Sequence, residues 1–390
     1  MKRPLLLVGM AVLLLALIAP ATGTAAKGKK KKKDAEVTVM TRNLYLGADL
    51  GPAIAANSVS GAVDAAGTIL NDVDLSNFPE RSKLLAAEIA DAKPDFVGLQ
   101  EVALWREQTP SDYTTSPATQ VRYDFLQLLQ DQLKAQGANY VVAVTQDEFD
   151  QELPADTDHN DATGNGPLAA FGADLDGRLT MRDVILVRKS KDLKFKNPQK
   201  GQFTNTYDVV LGGVVPISVD RGWVSIDAQV KGSKKQRSAK FKFVNAHFEA
   251  FGDPAIREAQ AREMIAGPLK TKQQLVFLGD INSGSSADHI GSPYPGDPND
   301  PLAYNALVNE GGLINLGARQ TCCYPDVFAP EIGDYRFDHT VDHVFVKPKI
   351  KQTDAYVTGT DPTVTGPGGV VASDHGGIVS DLKFKKAKKK

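Results

Sequence analysis

The chain has 390 residues, of which 42% are hydrophobic and 24% are charged, a composition that excludes an intrinsically disordered protein. Of its 45 Lys and Arg, 13 lie outside residues 34–384, which leaves 32 against 47 acidic residues and a net charge of about −15 for this segment. A body this acidic repels a long polyanion over most of its surface and is compatible with a site that gathers cations.

Residues 1–26 are predicted to be a signal peptide. Lys2 and Arg3 precede an apolar run from Leu5 to Ala19, and small residues at 24–26 suit cleavage by a signal peptidase. The alternative is a retained membrane anchor, but the apolar run is short for a complete membrane span. We therefore expect a secreted, extracellular protein.

Two Lys-rich segments, a linker at 27–36 and a tail at 385–390, flank one predicted domain at 37–384. They are expected either to be solvated, disordered ends or to hold the protein electrostatically on an anionic surface such as a cell envelope or nucleic acid. The two cysteines, Cys322 and Cys323, are adjacent and form no disulfide framework. We interpret them as a structural turn, with or without a bond between the neighbours, rather than as a metal site.

In chain order, the hydrophobic pattern first predicts a strand at 37–41 that ends at Arg42 and Asn43, and then alternating helices and strands. The next elements are a helix at 80–92, a strand at 96–99, a helix at 121–136 and a strand at 139–145. Residues 146–180 are acidic and rich in Gly, Pro and Asn, which indicates a long loop or insertion.

Strands and short helices are predicted over the second half of the chain. The strands are at 182–188, 203–210, 214–219, 222–230, 240–247, 275–278, 341–347, 354–358 and 375–382. A helix from Pro254 to about 267 begins after Asp253 as its cap, and a loop at 293–301 precedes a short helix at 302–309. The mixture of helical crossovers and hairpins favours two packed mixed sheets with helices outside.

Polar side chains stand at one end of several apolar strands. They follow the strands at Asn43, Glu101, His247, Asp280 and Asn282, and they precede the strands at Asp342, Asp374 and His375. Strands running one way deliver groups from their C-terminal ends, and antiparallel neighbours deliver groups from their N-terminal ends to the same edge. A mixed sheet system would therefore gather all of these side chains on one rim.

The residue types at this rim favour hydrolysis at phosphorus. Carboxylate and amide oxygens suit Mg²⁺, Mn²⁺ or Ca²⁺ better than zinc. A carboxylate or imidazole can take a proton from water, and an Asp beside an imidazole can hold that ring protonated. Taken singly, each cluster could be an ordinary turn or cap. The recurrence of the same arrangement in one chain favours a site.

Six segments in this order resemble the endonuclease/exonuclease/phosphatase superfamily, which has the deoxyribonuclease I-like fold. They are TRNL (41–44), LQEV (99–102), NAHF (245–248), GDIN (279–282), VDHVFV (341–346) and SDHGG (373–377), and they cover nearly all of residues 37–384. Arg257 and Gln260, in an RxxQ pattern, and the TCC segment at 321–323 resemble exported bacterial members.

The resemblance implies an α/β protein with a four-layer sandwich of two mixed sheets flanked by helices. It also implies Mg²⁺, with Mn²⁺ or Ca²⁺ as alternatives, on Glu101 with help from Asn43 and Asp374. Arg257 and Gln260 would be substrate-binding residues.

The resemblance further implies the catalytic residues. Asp280 would position or activate the attacking water, and Asn282 would orient the phosphate. The remaining residues would hold phosphate oxygens or stabilise the leaving group: His247, and His375 paired with Asp342.

Two departures from the family pattern bear on the substrate. Tyr45 stands where family nucleases can carry a second acidic residue, and the carboxylate that orients the first His of secreted nucleases has no counterpart. Glu249 is two residues from His247 but is expected to face the other side of its strand. The expected function is a phosphodiesterase acting on nucleic acid or on a phospholipid, as a sphingomyelinase does. The alternative is a catalytically silent surface-binding module on the same scaffold.

Overall fold

The structure is a computed structural model that describes residues 32–160, 164–285, 301–316, 319–324, 337, 339–347, 349–361 and 363–385. The predicted signal peptide, most of the predicted loop at 293–301 and the end of the Lys-rich tail lie outside these ranges. Within the described residues, no helix is both long enough and apolar enough to cross a membrane.

Sixteen strands are described, and most belong to two large sheets. In chain order they are β1 Ala35–Asn43, β2 Phe96–Gln100, β3 Leu104–Gln108, β4 Gln120–Asp124, β5 Tyr140–Ala155, β6 Leu175–Arg188, β7 Leu193–Gln202, β8 Tyr207–Leu211, β9 Val215–Val219, β10 Gly222–Val230, β11 Ala239–His247, β12 Gln274–Asp280, β13 Ile314–Asn315, β14 Asp342–Val346, β15 Ile350–Thr358 and β16 Gly377–Phe384.

Both large sheets are mixed. The first has the order β15-β16-β1-β2-β6-β3-β4, with β5 also paired to β6, and the second has the order β13-β14-β12-β11-β10-β7. The pairs β1–β2 and β11–β12 are parallel, whereas β1–β16 and β12–β14 are antiparallel. Strands β8 and β9 form a separate hairpin.

The helices cover the outer faces of the two sheets. They are α1 Gly51–Ala55, α2 Val59–Leu75, α3 Phe78–Ala92, α4 Phe125–Ala135, α5 Pro254–Ala266 and α6 Leu302–Asn305, with 3-10 turns at Gly166–Phe171 and Pro367–Gly369 and a π-helical turn at Ala306–Glu310. One apolar cluster joins the first four helices to the first sheet, a second fills the space between the sheets, and a third joins α5 and α6 to the second sheet. The predicted four-layer α/β sandwich is confirmed.

The two sheets are in close contact below the rim. A Cβ on Gly98 would lie 2.2 Å from Leu278 Cδ1, so only glycine leaves room for the facing strand. Asn245 Nδ2 donates to the carbonyl of Leu99 at 2.9 Å, and Gln100 Nε2 donates to Asn245 Oδ1 at 2.5 Å. These buried hydrogen bonds align the strand ends of one sheet with those of the other.

Some predicted elements are wrong. Residues 121–136 are not one helix, because 121–124 belong to β4 and the helix begins at Phe125 after Asp124, which accepts hydrogen bonds from Leu126 N and Gln127 N. Residues 146–180 are not one long loop, because 146–155 and 175–180 form the arms of the long β5–β6 hairpin. The prediction at 203–210 overlaps β8 but missed β7, and α1, α2 and β3 were also missed.

Candidate active site

The structure brings the predicted rim residues together. The C-terminal ends of β1, β2, β11 and β12 meet the N-terminal starts of β14 and β16 at one edge. His247 lies opposite Asp280 in the parallel β11–β12 pair, and Asp280 lies opposite Asp342 in the antiparallel β12–β14 pair. The strand register therefore places these three side chains side by side.

Asn43 connects the two sheets across the site. Its Nδ2 donates to Glu101 Oε1 at 3.0 Å and to Asp280 Oδ2 at 3.1 Å. The second oxygen of Glu101 accepts a hydrogen bond from Leu46 N at 2.7 Å. Two carboxylates from different sheets are thus held on one amide, with 15% of the Glu101 side chain still exposed.

The backbone turns sharply where the side chains enter the site. Glu101 and Asn282 both have positive φ, at 53° and 48°. Gly279 has a φ of 149°, and a Cβ there would lie 2.0 Å from the carbonyl oxygen of Ala246. Because a larger residue at 279 would separate β11 from β12, the glycine of the GDIN segment is required for His247 and Asp280 to be adjacent.

Asp342 holds His375 in its cationic form. Asp342 Oδ2 lies 2.8 Å from His375 Nδ1 and accepts a hydrogen bond from Thr321 Oγ1 at 2.7 Å. Burial lowers the pKa of His375, but Asp342, Asp374 and Asp280 outweigh burial and hold that pKa well above its usual value. The other ring nitrogen, Nε2, lies 3.8 Å from Asp280 Oδ2 and faces the site.

His247 has the opposite environment. Its Nδ1 lies 3.1 Å from Arg221 Nη1, and Arg221 Nε lies 3.4 Å from Glu249 Oε2. Burial, together with the Arg221 and His375 charges, lowers the pKa of His247 well below its usual value. Since a guanidinium can only donate, Nδ1 accepts and the neutral ring carries its hydrogen on Nε2, which is 3.7 Å from Asp280 Oδ2.

Asn282 lies beside this ring. Its Nδ2 is 3.2 Å from His247 Nε2 and donates to the carbonyl of Phe248 at 3.0 Å. Its backbone N–H donates to Asp280 Oδ1 at 2.9 Å. The short GDIN turn thus fixes both the carboxylate and the amide relative to the imidazole.

The carboxylates of the site are close enough to perturb one another. Burial and the Asp342 charge raise the pKa of Asp280 to about 7. Burial, opposed by His375 and reinforced by Glu101, raises the pKa of Asp374 to about 6. A bound cation would relieve this repulsion, and the oxygen-rich ligand set of carboxylates and an amide fits a hard divalent ion.

Asp374 is positioned by its neighbours. Ser373 Oγ donates to the carbonyl of Asn43 at 2.9 Å, and Tyr324 N donates to the carbonyl of Asp374 at 2.9 Å.

The buried guanidinium of Arg81 donates to the carbonyl of Tyr45 at 3.0 Å and lies over the Tyr45 ring at 5.1 Å. Tyr45, at the position where family nucleases can carry a second acidic residue, therefore packs against the Arg81 guanidinium.

Arg257 and Gln260 hydrogen-bond to the backbone next to the site. Both are buried on α5, and Arg257 Nη1 donates to the carbonyl of Ala250 at 3.5 Å. Gln260 Oε1 accepts from Glu249 N at 2.9 Å, and its Nε2 donates to the carbonyl of Asn205 at 2.8 Å. The structure gives them a role in supporting the turn after His247.

The adjacent cysteines lie at the edge of the site. Cys322 and Cys323 are joined to each other in a vicinal disulfide. Cys323 Sγ is 3.8 Å from His375 Nε2, and Cys322 pairs with His339 through the backbone. The pair therefore forms part of the wall around His375.

Three residues around His247 carry no sequence motif. Arg221 precedes β10 and reaches His247 because Gly222 pairs with His247 in the β10–β11 register. Behind Arg221, burial raises the pKa of Glu148 well above its usual value and that of Asp183 to about 8. These contacts depend on strand pairing, so only a three-dimensional arrangement could reveal them.

The fold is that of solved structures named endonuclease/exonuclease/phosphatase, as the sequence motifs predicted. A structure named endonuclease/exonuclease/phosphatase from Beutenbergia cavernae DSM 12333 matches with a TM-score of 0.50 and 18% identity, over 90% of this chain and 72% of that one. D. rerio TDP2 complexed with a single strand DNA product matches with a TM-score of 0.48 and 15% identity, over 90% and 100%. The mannosyl-6-phosphatase of Bacteroides thetaiotaomicron VPI-5482 matches with a TM-score of 0.45 and 17% identity, over 89% and 100%. No sequence-family profile and no curated protein sequence matches the chain.

Proposed function

We propose that this protein is a divalent-metal-dependent phosphoester hydrolase, most simply a phosphodiesterase. The main support for the proposal is that Asp280 lies near two imidazoles, of which His247 is neutral and His375 is cationic. Its Oδ2 lies 3.7 Å from His247 Nε2 and 3.8 Å from His375 Nε2. A carboxylate between a neutral donor and a cationic donor suits proton transfer and charge stabilisation at a phosphoryl centre.

Glu101, Asp374 and Asn43 are the residues that would hold the metal. Mg²⁺ fits this oxygen-rich set best, with Mn²⁺ and Ca²⁺ as alternatives. When bound, the ion would polarise a phosphoryl oxygen and neutralise charge that develops in the transition state.

The remaining residues have separate roles in the proposal. The pKa of Asp280, at about 7, suits a general base that accepts the proton of the attacking water near neutral pH. The cationic His375 holds a phosphoryl oxygen through Nε2, and Asn282 orients the phosphate. The neutral His247 donates from Nε2 without adding a second positive charge.

One assay tests this function. Hydrolysis of bis(4-nitrophenyl) phosphate is measured with Mg²⁺, with EDTA, and in the variants Asp280→Ala and His247→Ala. We expect EDTA to abolish activity and each substitution to lower kcat/KM at least about a hundredfold. Asp192→Ala, an exposed aspartate far from the rim in the sequence, is the matched control.

Activity that survives EDTA or Asp280→Ala would contradict the mechanism. A folded protein that hydrolyses no phosphoester with any of the three metals would favour the catalytically silent binding module.

Export is a second part of the proposal. The charged start and apolar run of residues 1–26 support secretion, and the Lys-rich ends would hold the released protein on an anionic surface. Expression of the full chain in a bacterium with a general secretion pathway should give a mature protein that begins near Lys27. Recovery of the uncleaved chain in the membrane fraction would contradict secretion.

A further inference from the structure

An open apolar pocket lies next to the site and has no part in the chemistry described above. Its volume is about 780 Å³ when the open solvent at its mouth is included, of which about 80 Å³ can hold the centre of a water molecule. Its walls come from α1, α2, the β5–β6 hairpin, the β8–β9 hairpin and Phe251. The lining is apolar almost throughout, with Gln151 and Arg221 as its polar exceptions.

The pocket and the site share two walls. Arg221 lines the pocket, and its guanidinium contacts His247 Nδ1 at 3.1 Å. Trp105 also lines the pocket, and its indole Nε1 donates to the carbonyl of Leu46 at 2.9 Å. Because Leu46 N donates to Glu101 Oε2, one residue connects the pocket wall to the proposed metal ligand.

The charged group of the pocket is not available to a charged ligand. The Arg221 guanidinium already contacts His247 and the buried Glu249 carboxylate. By contrast, several large apolar side chains around the pocket remain half-exposed, and they could bury further surface against a ligand. These are Leu50, Ile54, Phe149, Leu153, Ile217 and Phe251. An apolar recess of this kind is stabilised by hydrocarbon and not by a second phosphate.

We propose that this pocket binds the hydrocarbon part of the substrate, so that the enzyme acts on phosphoesters of long-chain, amphiphilic alcohols. The inference rests on the proposed function and selects the lipid phosphoester over nucleic acid. The net charge of residues 34–384 supports the same choice, because a segment with a net charge of about −15 repels a long polyanion. A single phosphate with an apolar tail avoids most of that repulsion.

The test uses a series of 4-nitrophenyl alkyl phosphates that differ in the alkyl chain, from methyl to dodecyl, each below its micelle concentration. With Mg²⁺, kcat/KM should rise about two- to fourfold for each methylene that enters the pocket, and then level off. Single-stranded DNA is assayed in parallel under the same conditions.

Two variants block the pocket and leave the rim residues unchanged. Ala53→Phe fills the pocket from α1, and Ile217→Glu places a charge on its lining from β9. Each has a matched control on the same element, Ala55→Phe on α1 and Ser218→Glu on β9, where the native side chains are exposed and lie outside the pocket lining. Thermal unfolding midpoints report whether each variant folds.

We expect both pocket variants to hydrolyse the methyl ester at the wild-type rate and to lose the dependence on chain length. Both controls should keep that dependence. A wild-type rate that does not change with chain length, a slope that survives both pocket variants, or preferential cleavage of single-stranded DNA over the dodecyl ester would overturn the inference. None of these results would contradict phosphoester hydrolysis itself.

A second measurement does not depend on catalysis. Calorimetric titration of the EDTA-treated protein with octyl phosphate should show tighter binding than with methyl phosphate and a negative heat-capacity change. Ala53→Phe should remove the difference between the two ligands. If no ester is hydrolysed with Mg²⁺ but octyl phosphate still binds in this way, the proposed function is wrong and the pocket inference stands. Equal binding of the two ligands would overturn the pocket inference.

Discussion

Asp342 and Arg221 set the two imidazoles of the site in different charge states. The Asp342 carboxylate lies 2.8 Å from His375 Nδ1, whereas the Arg221 guanidinium lies 3.1 Å from His247 Nδ1. A carboxylate partner raises the pKa of an imidazole and a cationic partner lowers it. The site therefore combines one charged and one neutral donor.

Replacement of Asp342 by Asn should shift the alkaline limit of activity to lower pH. The pKa of His375 stands well above its usual value because of Asp342 first among its acidic neighbours, so loss of this charge lowers that pKa. If cationic His375 is required, activity is then lost at a lower pH. The measurement is the pH profile of kcat/KM.

Thr321→Val is the control for this shift. It removes the hydroxyl that donates to Asp342 Oδ2 but keeps the carboxylate, so the alkaline limit should stay close to that of the wild type. An unchanged limit in Asp342→Asn would show that His375 is not the group whose proton is needed.

At the scale of single residues, the sequence revealed the polar groups that occur in motifs and missed those that do not. Glu101, Asp280 and His375 each stand beside an apolar strand in a recognisable segment. Arg221 reaches His247 only through the pairing of β10 with β11, a contact between residues distant in sequence. No local pattern encodes such a partner.

At the scale of elements, local propensity failed where tertiary packing decides the structure. Helix α2 contains Gly61 and Gly67 and several β-branched residues, which are poor helix formers. A Cβ on Gly67 would lie 1.6 Å from the carbonyl oxygen of Asp156, so this glycine is required for the helix to contact the chain after β5. The packing that selects the helix also explains its weak sequence signal.

The β5–β6 hairpin was mistaken for a loop because its polar residues indicated solvent rather than a strand. Asp150 of β5 forms ion pairs with Arg178 of β6 and Arg106 of β3. Strand β5 pairs only with β6 among the described strands, and its Asp147 and Asp150 are exposed. Exposed edge strands carry charges, which hide the alternation expected of a strand.

Gly98→Ala should destabilise the contact between the two sheets. The added methyl group would lie 2.2 Å from Leu278 Cδ1 and 2.6 Å from Asn245 Oδ1. Overpacking of a core commonly costs about 1–3 kcal/mol, so the free energy of unfolding in urea should fall by about that amount. In the Leu278→Ala background, where space is available, the same change should cost less. Equal losses in both backgrounds would show that Leu278 is not the obstacle.

At the scale of the whole molecule, stability should depend on pH and metal together. The pKa values of Asp280, at about 7, and Asp374, at about 6, exceed that of an unfolded Asp. The folded chain therefore binds more protons than the unfolded chain, and the free energy of unfolding falls as pH rises from about 5 to about 8. In EDTA, Tm should decrease over this interval.

Mg²⁺ should oppose this loss, because an ion that binds the ionised carboxylates stabilises the folded chain by mass action. Calorimetric scans across the same interval, with EDTA and with saturating Mg²⁺, measure both effects. If the two sets of Tm values coincide at alkaline pH, the carboxylates do not form a cation site.

The hydrogen bond from Ser373 Oγ to the carbonyl of Asn43 joins residues 330 positions apart in the chain. The proposed catalysis needs that closure and also the β11–β12–β14 register, since a slip of one residue would turn Asp280 or Asp342 away from its partner. During refolding, circular dichroism can therefore recover while substrate turnover is still absent. For this protein, recovery of substrate turnover would therefore report correct strand pairing in both sheets.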